Sequence, residues 1–478
     1  MLFNSFAFAI FLPTVLILYW LLPFRLQNMM LLVASYFFYG YWDWRFLSLI
    51  AISTIVDYIA GLKIQEHRDS SAEGSQKMMK RWLVISMCTN LGILGFFKYF
   101  NFFIDSFSGL LTGIGINPDP FYLNIILPVG ISFYTFQTMS YTIDIYRGEM
   151  QPTRRLFDFA LYVSFFPQLV AGPIERAKVL LPQVLQRRSF SRDQFAEGLH
   201  LIVLGMFKKV FVADNLAPYV DKVFLNPDPT WLDILFGGWA FAFQVYGDFS
   251  GYSDIARGCA KCMGFELMVN FNHPYVATNP RERWQRWHIS LSSWLRDYLY
   301  IPLGGSRGGH LKTQRNLFLT MLLGGLWHGA GWNFVLWGAW EGILLVGHRY
   351  VVPIIDRAKS YTSFIPAIVR KIFWMLVFFN LVSYGLIIFR GQSLANIGDM
   401  WLRVLTLTGN ADPSVLLPLA YFMIPLIIVE AAQYFVSRDQ WSQLREVPVP
   451  IRAVAYTIMI YLFAVHGAAA QSFIYFQF

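Results

Sequence analysis

The sequence predicts an all-α membrane protein that crosses the bilayer many times. Of its 478 residues, 56% are hydrophobic and only 14% are charged, whereas a soluble domain is typically about 25% charged. The mean hydropathy is +0.45, and apolar runs recur along the whole chain. A single water-exposed fold cannot bury so much apolar surface, so the lipid bilayer must solvate much of the protein.

The predicted spans are apolar runs close to the length of about 20 residues that a transmembrane helix needs. The first run, residues 6–22, lacks a preceding basic residue and a following cleavage site, so we expect a retained helix rather than a signal peptide. The chain is predicted to form one transmembrane domain over residues 1–478, with its core motifs within 121–349. The predicted spanning helices are residues 5–23, 26–42, 44–62, 82–104, 121–144, 195–224, 231–262, 372–389, 416–436 and 453–470.

The charges of the loops predict how these helices are oriented. Loops 63–81, 145–155 and 437–452 contain several Lys or Arg residues, whereas 105–120 and 225–230 contain none. Positive charge favours the cytoplasmic side, so the first three are predicted to lie inside the cell and the other two outside. Both termini are then predicted to be extracytoplasmic. The net charge of +9 is explained by these loops and does not indicate a nucleic-acid partner.

Two apolar segments, 156–173 and 316–348, interrupt the alternation of sides because basic residues flank each of them at both ends. We predict that each enters the membrane and returns, with turns near Pro167 and Gly172 in the first and at glycines 324–331 in the second. Such backbone is tolerated only where protein or a water-filled cavity covers it, and broken helices commonly form binding sites. Alternatively, 316–348 is one long tilted helix.

His328 lies within the second of these segments, roughly 18 Å along a helix from Arg315. Ionisable side chains at membrane depth are costly and usually functional, and a neutral imidazole can take a proton from a hydroxyl or thiol and return it. We therefore predict that His328 is a catalytic residue. The alternative is a packed histidine that is hydrogen-bonded to a neighbouring carbonyl.

A second candidate site is the basic, aromatic-rich segment 281–300. On a continuous helix His288 would lie one turn from Ser292 and one turn from Trp284. Arginine binds phosphate through two parallel hydrogen bonds and stacks on aromatic rings, so the segment could hold the phosphates of an acyl donor such as acetyl-CoA. The alternative is an interfacial helix with arginines that reach the lipid headgroups. The predicted donor-binding residues are Arg283, Arg286, Trp287, Ser292 and Arg296.

The remaining polar residues are interpreted as structural rather than catalytic. Asp248 and Asp254 lie in an apolar run, where they could line a cavity, orient a histidine or pair with arginines; structural pairing is the preferred interpretation. Cys259 and Cys262 lack the second ligand pair of a zinc site, so we predict no metal. No glycine-rich phosphate loop follows a strand pattern, which argues against ATP hydrolysis and dinucleotide redox chemistry.

Together these stretches resemble the membrane-bound O-acyltransferase family, and within it the bacterial branch that acetylates polysaccharides such as alginate. The resemblance extends over essentially the whole chain and rests on several motifs in family order. They are Leu127–Tyr134, Phe166–Pro173, Asp248–Asp254, Arg286–Ser292, Trp294–Tyr300, Trp327–Gly329 and the ending Gln471–Phe478.

The resemblance implies a helical bundle around a central tunnel, with His328 as the catalytic histidine and His288 as a second polar residue near it. Cytoplasmic acetyl-CoA would be a donor substrate rather than a tightly bound cofactor. Extracytoplasmic partner proteins would pass the acetyl group to a polysaccharide such as alginate, cellulose or peptidoglycan. The residues expected to line or support the tunnel are Asp248, Ser250, Tyr252, Asp254, Asp297 and Trp327.

Two alternatives remain open at this point. A proton-coupled transporter of polysaccharide or lipid-linked sugar would use broken helices and buried charges equally well. The charge-free ending 472–478 is a candidate docking element for an extracytoplasmic partner, or else a helix end that packs at the membrane interface.

Overall fold

A computed structural model describes residues 1–70, 72–361, 364–436, 447–468, 471 and 473–476. The regular elements within these ranges are helices, which confirms the all-α fold class. The first helices are α1 Phe6–Leu21, α2 Phe24–Asp43, α3 Leu47–Asp69, α4 Ser75–Leu94, α5 Phe100–Gly113, α6 Ile131–Arg147, α7 Leu156–Ser164, α8 Phe166–Leu169, α9 Ala177–Leu185 and α10 Arg192–Met206. The later helices are α11 Asp214–Leu225, α12 Trp231–Cys262, α13 Pro280–Arg286, α14 Ile289–Leu295, α15 His310–His328, α16 Trp332–Tyr361, α17 Ala367–Arg390, α18 Leu394–Thr406, α19 Leu416–Val436 and α20 Val449–Val465.

Within the described residues, four helical runs are long and apolar enough to cross a bilayer. Two shorter apolar helices, α1 and α20, accompany them. Large apolar side chains on several of these helices are exposed, for example Phe6, Leu417 and Phe435, as expected where lipid is the solvent. The chain is therefore a polytopic membrane protein. The four runs are Phe24–Asp69, Ser75–Gly113, Ala367–Arg390 and Pro413–Phe435.

Most predicted spans coincide with observed helices, and two of them differ most in their bounds. Residues 121–130 are irregular rather than helical, and α6 begins only at Ile131, because Gly130 adopts a φ of 75° and lies where a side chain would meet the Leu169 backbone. The span predicted at 82–104 extends from 75 to 113 through a π-turn at Gly95–Tyr99, so most of the predicted outer loop 105–120 is helical. Residues 437–446 and 469–470 lie outside the described residues.

The first predicted re-entrant segment is broken, as expected, although the break comes earlier than its proline and glycine suggest. Helix α7 ends at Ser164, Phe165 leaves the helical region, and the short helix α8 follows. Every residue from 159 to 176 is buried. The protein thus covers this irregular backbone, which satisfies the condition for such backbone at membrane depth. That this segment enters and leaves the membrane on the same side remains a prediction.

The second segment is a helical hairpin, and the alternative of one long tilted helix is wrong. Helices α15 and α16 meet at the Gly329–Gly331 turn and run antiparallel, since Gly325 packs against Gly338 while Phe318 packs against Gly342. A Cβ at Gly325 would lie 2.3 Å from the Phe334 carbonyl oxygen and 2.7 Å from the Gly338 Cα. Glycine therefore allows the two backbones to approach this closely.

The contacts of the chain form two compact units. One unit contains residues 1–200 and 256–268, and the other contains 201–255 and 269–478. In the first unit the buried Asp57 of α3 accepts hydrogen bonds from the Ser86 hydroxyl at 2.5 Å and the Asn90 amide at 2.9 Å, both on α4. Such bonds offset the desolvation of a carboxylate between membrane helices. Both candidate histidines belong to the second unit. The central tunnel remains a prediction.

Candidate functional site

The two predicted histidines lie together in the interior. His328 is the last residue of α15 and is 3% exposed, and His288 lies between α13 and α14 and is fully buried. Their ring centroids are 6.4 Å apart. This proximity joins two sequence motifs that are 40 positions apart, and it places both imidazoles within reach of one small reacting group.

The segment 281–300 is not one continuous helix, because His288 separates α13 from α14. The His288 φ of 43° is left-handed, which ends α13 and restarts the chain as α14. Ser292 still lies one helical turn beyond His288, since its backbone N–H donates to the His288 carbonyl at 2.9 Å. Trp284 belongs to the preceding helix and is not on a common helical face with His288.

Asn270 holds His288 in this conformation, and sequence reasoning did not identify it. Its side-chain oxygen accepts from the Ser290 backbone N–H at 3.2 Å and from the Ser290 hydroxyl at 2.9 Å. Because an N–H group can only donate, the amide orientation is fixed, and the same oxygen accepts from His288 Nδ1 at 3.2 Å. Nδ1 therefore carries the proton and Nε2 is the basic nitrogen. Burial lowers the pKa of His288 to about 3, so the ring is neutral near pH 7.

His328 lies in an aromatic cage. The rings of Trp337, Trp327, Tyr475 and Phe389 have centroids 5.0, 5.1, 5.5 and 5.7 Å from its own. The Tyr475 hydroxyl lies 2.9 Å from His328 Nδ1, and burial raises the pKa of Tyr475, so the phenol is neutral. The site therefore pairs the hydroxyl of the partly exposed Tyr475 with the buried imidazole of His328.

Tyr475 belongs to the end of the chain, and the structure corrects the docking role predicted for part of this segment. We define residues 471–476 as the tail; Ser472 and, beyond the tail, Gln477 and Phe478 of the predicted docking element lie outside the described residues. Phe473 and Ile474 are 1% and 2% exposed. Buried side chains cannot form an external docking surface, so that interpretation is wrong for these two residues. The missed signal was the tyrosine, a nucleophilic side chain within an ending that already resembled the family.

Two buried lysines pair with the predicted aspartates. A π-turn at Phe207–Ala213 directs Lys208 and Lys209 inward. Lys209 Nζ lies 2.8 Å from Asp248 Oδ1, and Lys208 Nζ lies 3.0 Å from Asp254 Oδ2 and 3.0 Å from the Ser250 hydroxyl. The aspartates are thus structural partners, as preferred, but of lysines rather than of arginines. Two adjacent lysines inside an apolar run were the signal that sequence reasoning passed over.

The predicted donor-binding arginines do not share one surface. Arg283 is 1% exposed and pairs with the buried Glu341 at 3.1 Å, and its guanidinium lies 5.1 Å from the Trp287 ring. Its charge is therefore balanced inside the protein, and Trp287 is buried with it. The Ser292 hydroxyl donates to the Trp287 carbonyl at 3.1 Å.

The other two arginines are more accessible. Arg286 pairs with Glu282 at 3.1 Å and has a side chain that is 23% exposed. Arg296 pairs with its neighbour Asp297 at 2.7 Å and has a side chain that is 62% exposed. Of the predicted cluster, these two guanidinium groups are best placed to meet a phosphate from solvent.

The remaining predicted residues have packing roles. The Tyr252 ring lies 4.9 Å from Phe473, and Trp327 contacts both histidines, with centroid distances of 5.1 and 5.8 Å. Cys259 and Cys262 are buried free thiols. Among the described residues, no group of His, Cys, Asp or Glu is arranged to hold a metal ion.

Comparison with known proteins gives a consistent result. The family model of the membrane-bound O-acyltransferase family matches residues 151–388, which include both histidines. The probable alginate O-acetylase AlgI of Azotobacter vinelandii is 47% identical over 396 residues, which cover 82% of this chain and 76% of that protein. The peptidoglycan O-acetyltransferase of Helicobacter pylori is 36% identical, over 82% of this chain and 78% of that protein. The teichoic acid D-alanyltransferase of Bacillus subtilis is 24% identical, over 56% and 70%.

Proposed function

Because this chain belongs to the membrane-bound O-acyltransferase family, we propose that it takes acetyl from cytoplasmic acetyl-CoA and passes it across the inner membrane for O-acetylation of an exported polysaccharide. The enzyme class follows from the family and from relatives named as O-acetyltransferases. Alginate is the favoured acceptor because five relatives between 44% and 47% identical are named alginate O-acetylases.

One observation carries the proposed mechanism, namely the 2.9 Å contact between the Tyr475 hydroxyl and His328 Nδ1. A hydroxyl beside a basic nitrogen is the usual arrangement of a nucleophile with its general base. His328 takes the phenolic proton as the Tyr475 oxygen bonds to the acetyl carbon. The carbon–sulfur bond of the thioester breaks, and His328 returns the proton to the departing CoA thiolate. The product is an acetyl ester of Tyr475.

This ester suits a relay because a phenol is a good leaving group. The ordinary pKa of a tyrosine hydroxyl, about 10, is close to the value of about 8.5 for a cysteine thiol. The acetyl group therefore keeps much of the transfer potential of the thioester. In a second step an acceptor hydroxyl attacks the ester, its proton returns to the Tyr475 oxygen, and the free phenol is restored. Extracytoplasmic partner proteins are the proposed acceptors before the glycan.

His288 and the accessible arginines complete the proposal. Neutral His288, held by Asn270 at 3.2 Å, orients or stabilises the reacting group beside His328. Arg286 and Arg296 bind the anionic phosphates of acetyl-CoA. That donor does not cross a bilayer unaided, so it enters from the cytoplasmic side. The Lys and Arg residues of the loops support the proposal that both termini lie on the outer side.

The test follows labelled acetyl-CoA in vesicles of purified protein. We expect label on the peptide that contains Tyr475, and none in Tyr475→Phe or His328→Ala proteins that still insert and remain abundant. Loss of one general base lowers the rate by about 10²–10⁴. Normal product acetylation by Tyr475→Phe would exclude the tyrosyl ester, and normal acetylation by His328→Ala would exclude the base.

The same vesicles separate this function from transport and from direct transfer. A polysaccharide or lipid-linked sugar transporter would leave acetyl-CoA intact. If the protein alone acetylates polysaccharide on the opposite face at full rate, the partner proteins are unnecessary and the relay is wrong. If removal of the last six residues leaves partner-dependent transfer unchanged, the tail has no part in the chemistry.

A further inference from the structure

The backbone of the tail is held by a buried ion cluster that the chemistry above does not use. Lys209 Nζ lies 2.6 Å from Asp214 Oδ1 and 2.8 Å from Asp248 Oδ1. It also donates to the Gln471 carbonyl at 3.2 Å. The other oxygen of Asp248 accepts from the Ile474 backbone N–H at 2.6 Å. One lysine and one carboxylate thus bind two backbone groups on either side of Phe473.

The side chains of the tail make mostly non-directional contacts. Phe473 packs on Tyr252 and Phe249 with centroid distances of 4.9 and 5.7 Å, and Tyr475 packs on Phe249 at 4.8 Å. Such ring pairs adopt several favourable arrangements, offset-stacked or edge-to-face, with centroids about 4.5–7 Å apart, so these contacts alone do not select one register. A shift of the tail by one residue would bring Ile474 or Phe476 toward His328, and neither carries a hydroxyl.

Directional hydrogen bonds to the backbone of the tail select one register. The Ile474 N–H is one residue from Tyr475, so its bond to a fixed carboxylate sets the position of the tyrosine Cα. Asp248 is itself fixed, since it lies in the long helix α12 and pairs with Lys209 from the π-turn. Charge-assisted hydrogen bonds are about twice as strong as neutral ones, and burial strengthens them further.

We propose that Lys209 and Asp248 are positioning residues for Tyr475, which hold the tail in the register that brings the hydroxyl to His328. The catalytic consequence rests on the function proposed above, whereas the placement of the tail does not. The same π-turn supplies a matched comparison, because Lys208 is buried to a similar extent and pairs with Asp254 and Glu430 at 3.0 and 3.2 Å.

The experiment measures hydrogen exchange of the Ile474 amide and acetylation of Tyr475 in the full-length protein in detergent. Lys209→Met should speed exchange at Ile474 by roughly tenfold or more, the effect expected when a buried hydrogen bond to a charged group is lost. Acetylation of Tyr475 should fall by a similar factor. Lys208→Met should leave exchange at Ile474 slow. Asp248→Asn, which keeps the shape and removes the charge, should resemble Lys209→Met and replaces it if that protein does not fold.

Three different outcomes would contradict the proposal, each for its own reason. Unchanged exchange at Ile474 in Lys209→Met and in Asp248→Asn would show that the cluster does not hold the tail. Equal acceleration in Lys208→Met would show a general loss of packing. Faster exchange with normal acetylation would show that the cluster does not position the tyrosine. Slow exchange at Ile474 together with no acetylation of Tyr475 in the wild type would contradict the proposed function and leave the placement of the tail intact.

Discussion

At the scale of single residues, neighbouring groups hold His288 in an unusual backbone conformation and in its neutral form. His288 adopts a left-handed conformation, which non-glycine residues rarely adopt. Asn270 compensates by accepting hydrogen bonds from the ring, from the Ser290 backbone and from the Ser290 hydroxyl. The result is a neutral imidazole whose basic nitrogen is known from the hydrogen bonds around it.

The buried His288 predicts a pH dependence of stability. It lies outside the spanning helices, and its pKa is lowered to about 3, below the ordinary value of about 6.5. Between these values the unfolded chain binds a proton that the folded protein does not, so the free energy of unfolding falls as the pH falls below about 6.5. The slope approaches 1.4 kcal/mol per pH unit.

The measurement compares the thermal unfolding midpoint at pH 7.5 and 5.5. We expect a larger decrease for the wild type than for His288→Asn, since asparagine tolerates the left-handed conformation and does not titrate. Groups common to both proteins cancel in this comparison. Equal decreases would mean that His288 is protonated without penalty and that its pKa is near the ordinary value.

Site residues could be identified from the sequence where their type is unusual for their surroundings. His328 was identifiable because it lies at predicted membrane depth among glycines, and Asp248 and Asp254 because they interrupt an apolar run. Asn270 and Tyr475 could not be assigned in this way. Asparagine in a polar loop and tyrosine in an aromatic ending are ordinary, and their roles depend on partners 18 and 147 positions away.

At the scale of elements, glycines determine how closely the α15–α16 hairpin packs. Basic residues at both ends of 316–348 and the glycines between 324 and 331 were sufficient to predict the hairpin. The break at His288 was not predictable from 281–300, because it depends on Asn270 outside that segment. Local composition thus predicted where the chain turns, but it did not predict a turn that a distant side chain enforces.

The hairpin gives a prediction about stability. Gly325→Ala should lower the free energy of unfolding by about 1–3 kcal/mol, as for other overpacked positions, because its Cβ would meet backbone atoms of α16 at 2.3 and 2.7 Å. Gly347→Ala in α16 is the matched control: open space surrounds that glycine, and alanine is favoured over glycine within a helix by up to about 1 kcal/mol, so this change should not destabilise the protein. Thermal unfolding in detergent measures both, and similar midpoints for the two variants would contradict the close packing.

At the scale of the whole molecule, orientation in the membrane determines which substrates reach the site. The predicted outer connection 225–230 is as short as expected, between α11 and α12, whereas residues 390–415 contain helix α18. The side on which each connection lies remains a prediction from the Lys and Arg residues of the loops, and the cytoplasmic entry of acetyl-CoA depends on it.

Labelling of single cysteines in intact cells tests this orientation. Cysteines at positions 72 and 310 should react only with reagents that cross the membrane, and a cysteine at 115, just beyond α5, should react with impermeant ones. A chain without the native Cys88, Cys259 and Cys262 provides the background. Reaction of position 310 with an impermeant reagent would invalidate both the re-entrant entry of the hairpin and the cytoplasmic donor site.

The position of Tyr475 in the sequence also has a consequence for protein synthesis. A ribosome adds this residue 147 positions after His328, and Ile474 follows its carboxylate partner by 226. The membrane helices that form the cage can therefore insert and pack long before the hydroxyl arrives. Under the proposed mechanism, a nascent chain or a product of premature termination upstream of the tail would occupy the bilayer without consuming acetyl-CoA. Translation thus delays the onset of activity until the fold around the site has been built.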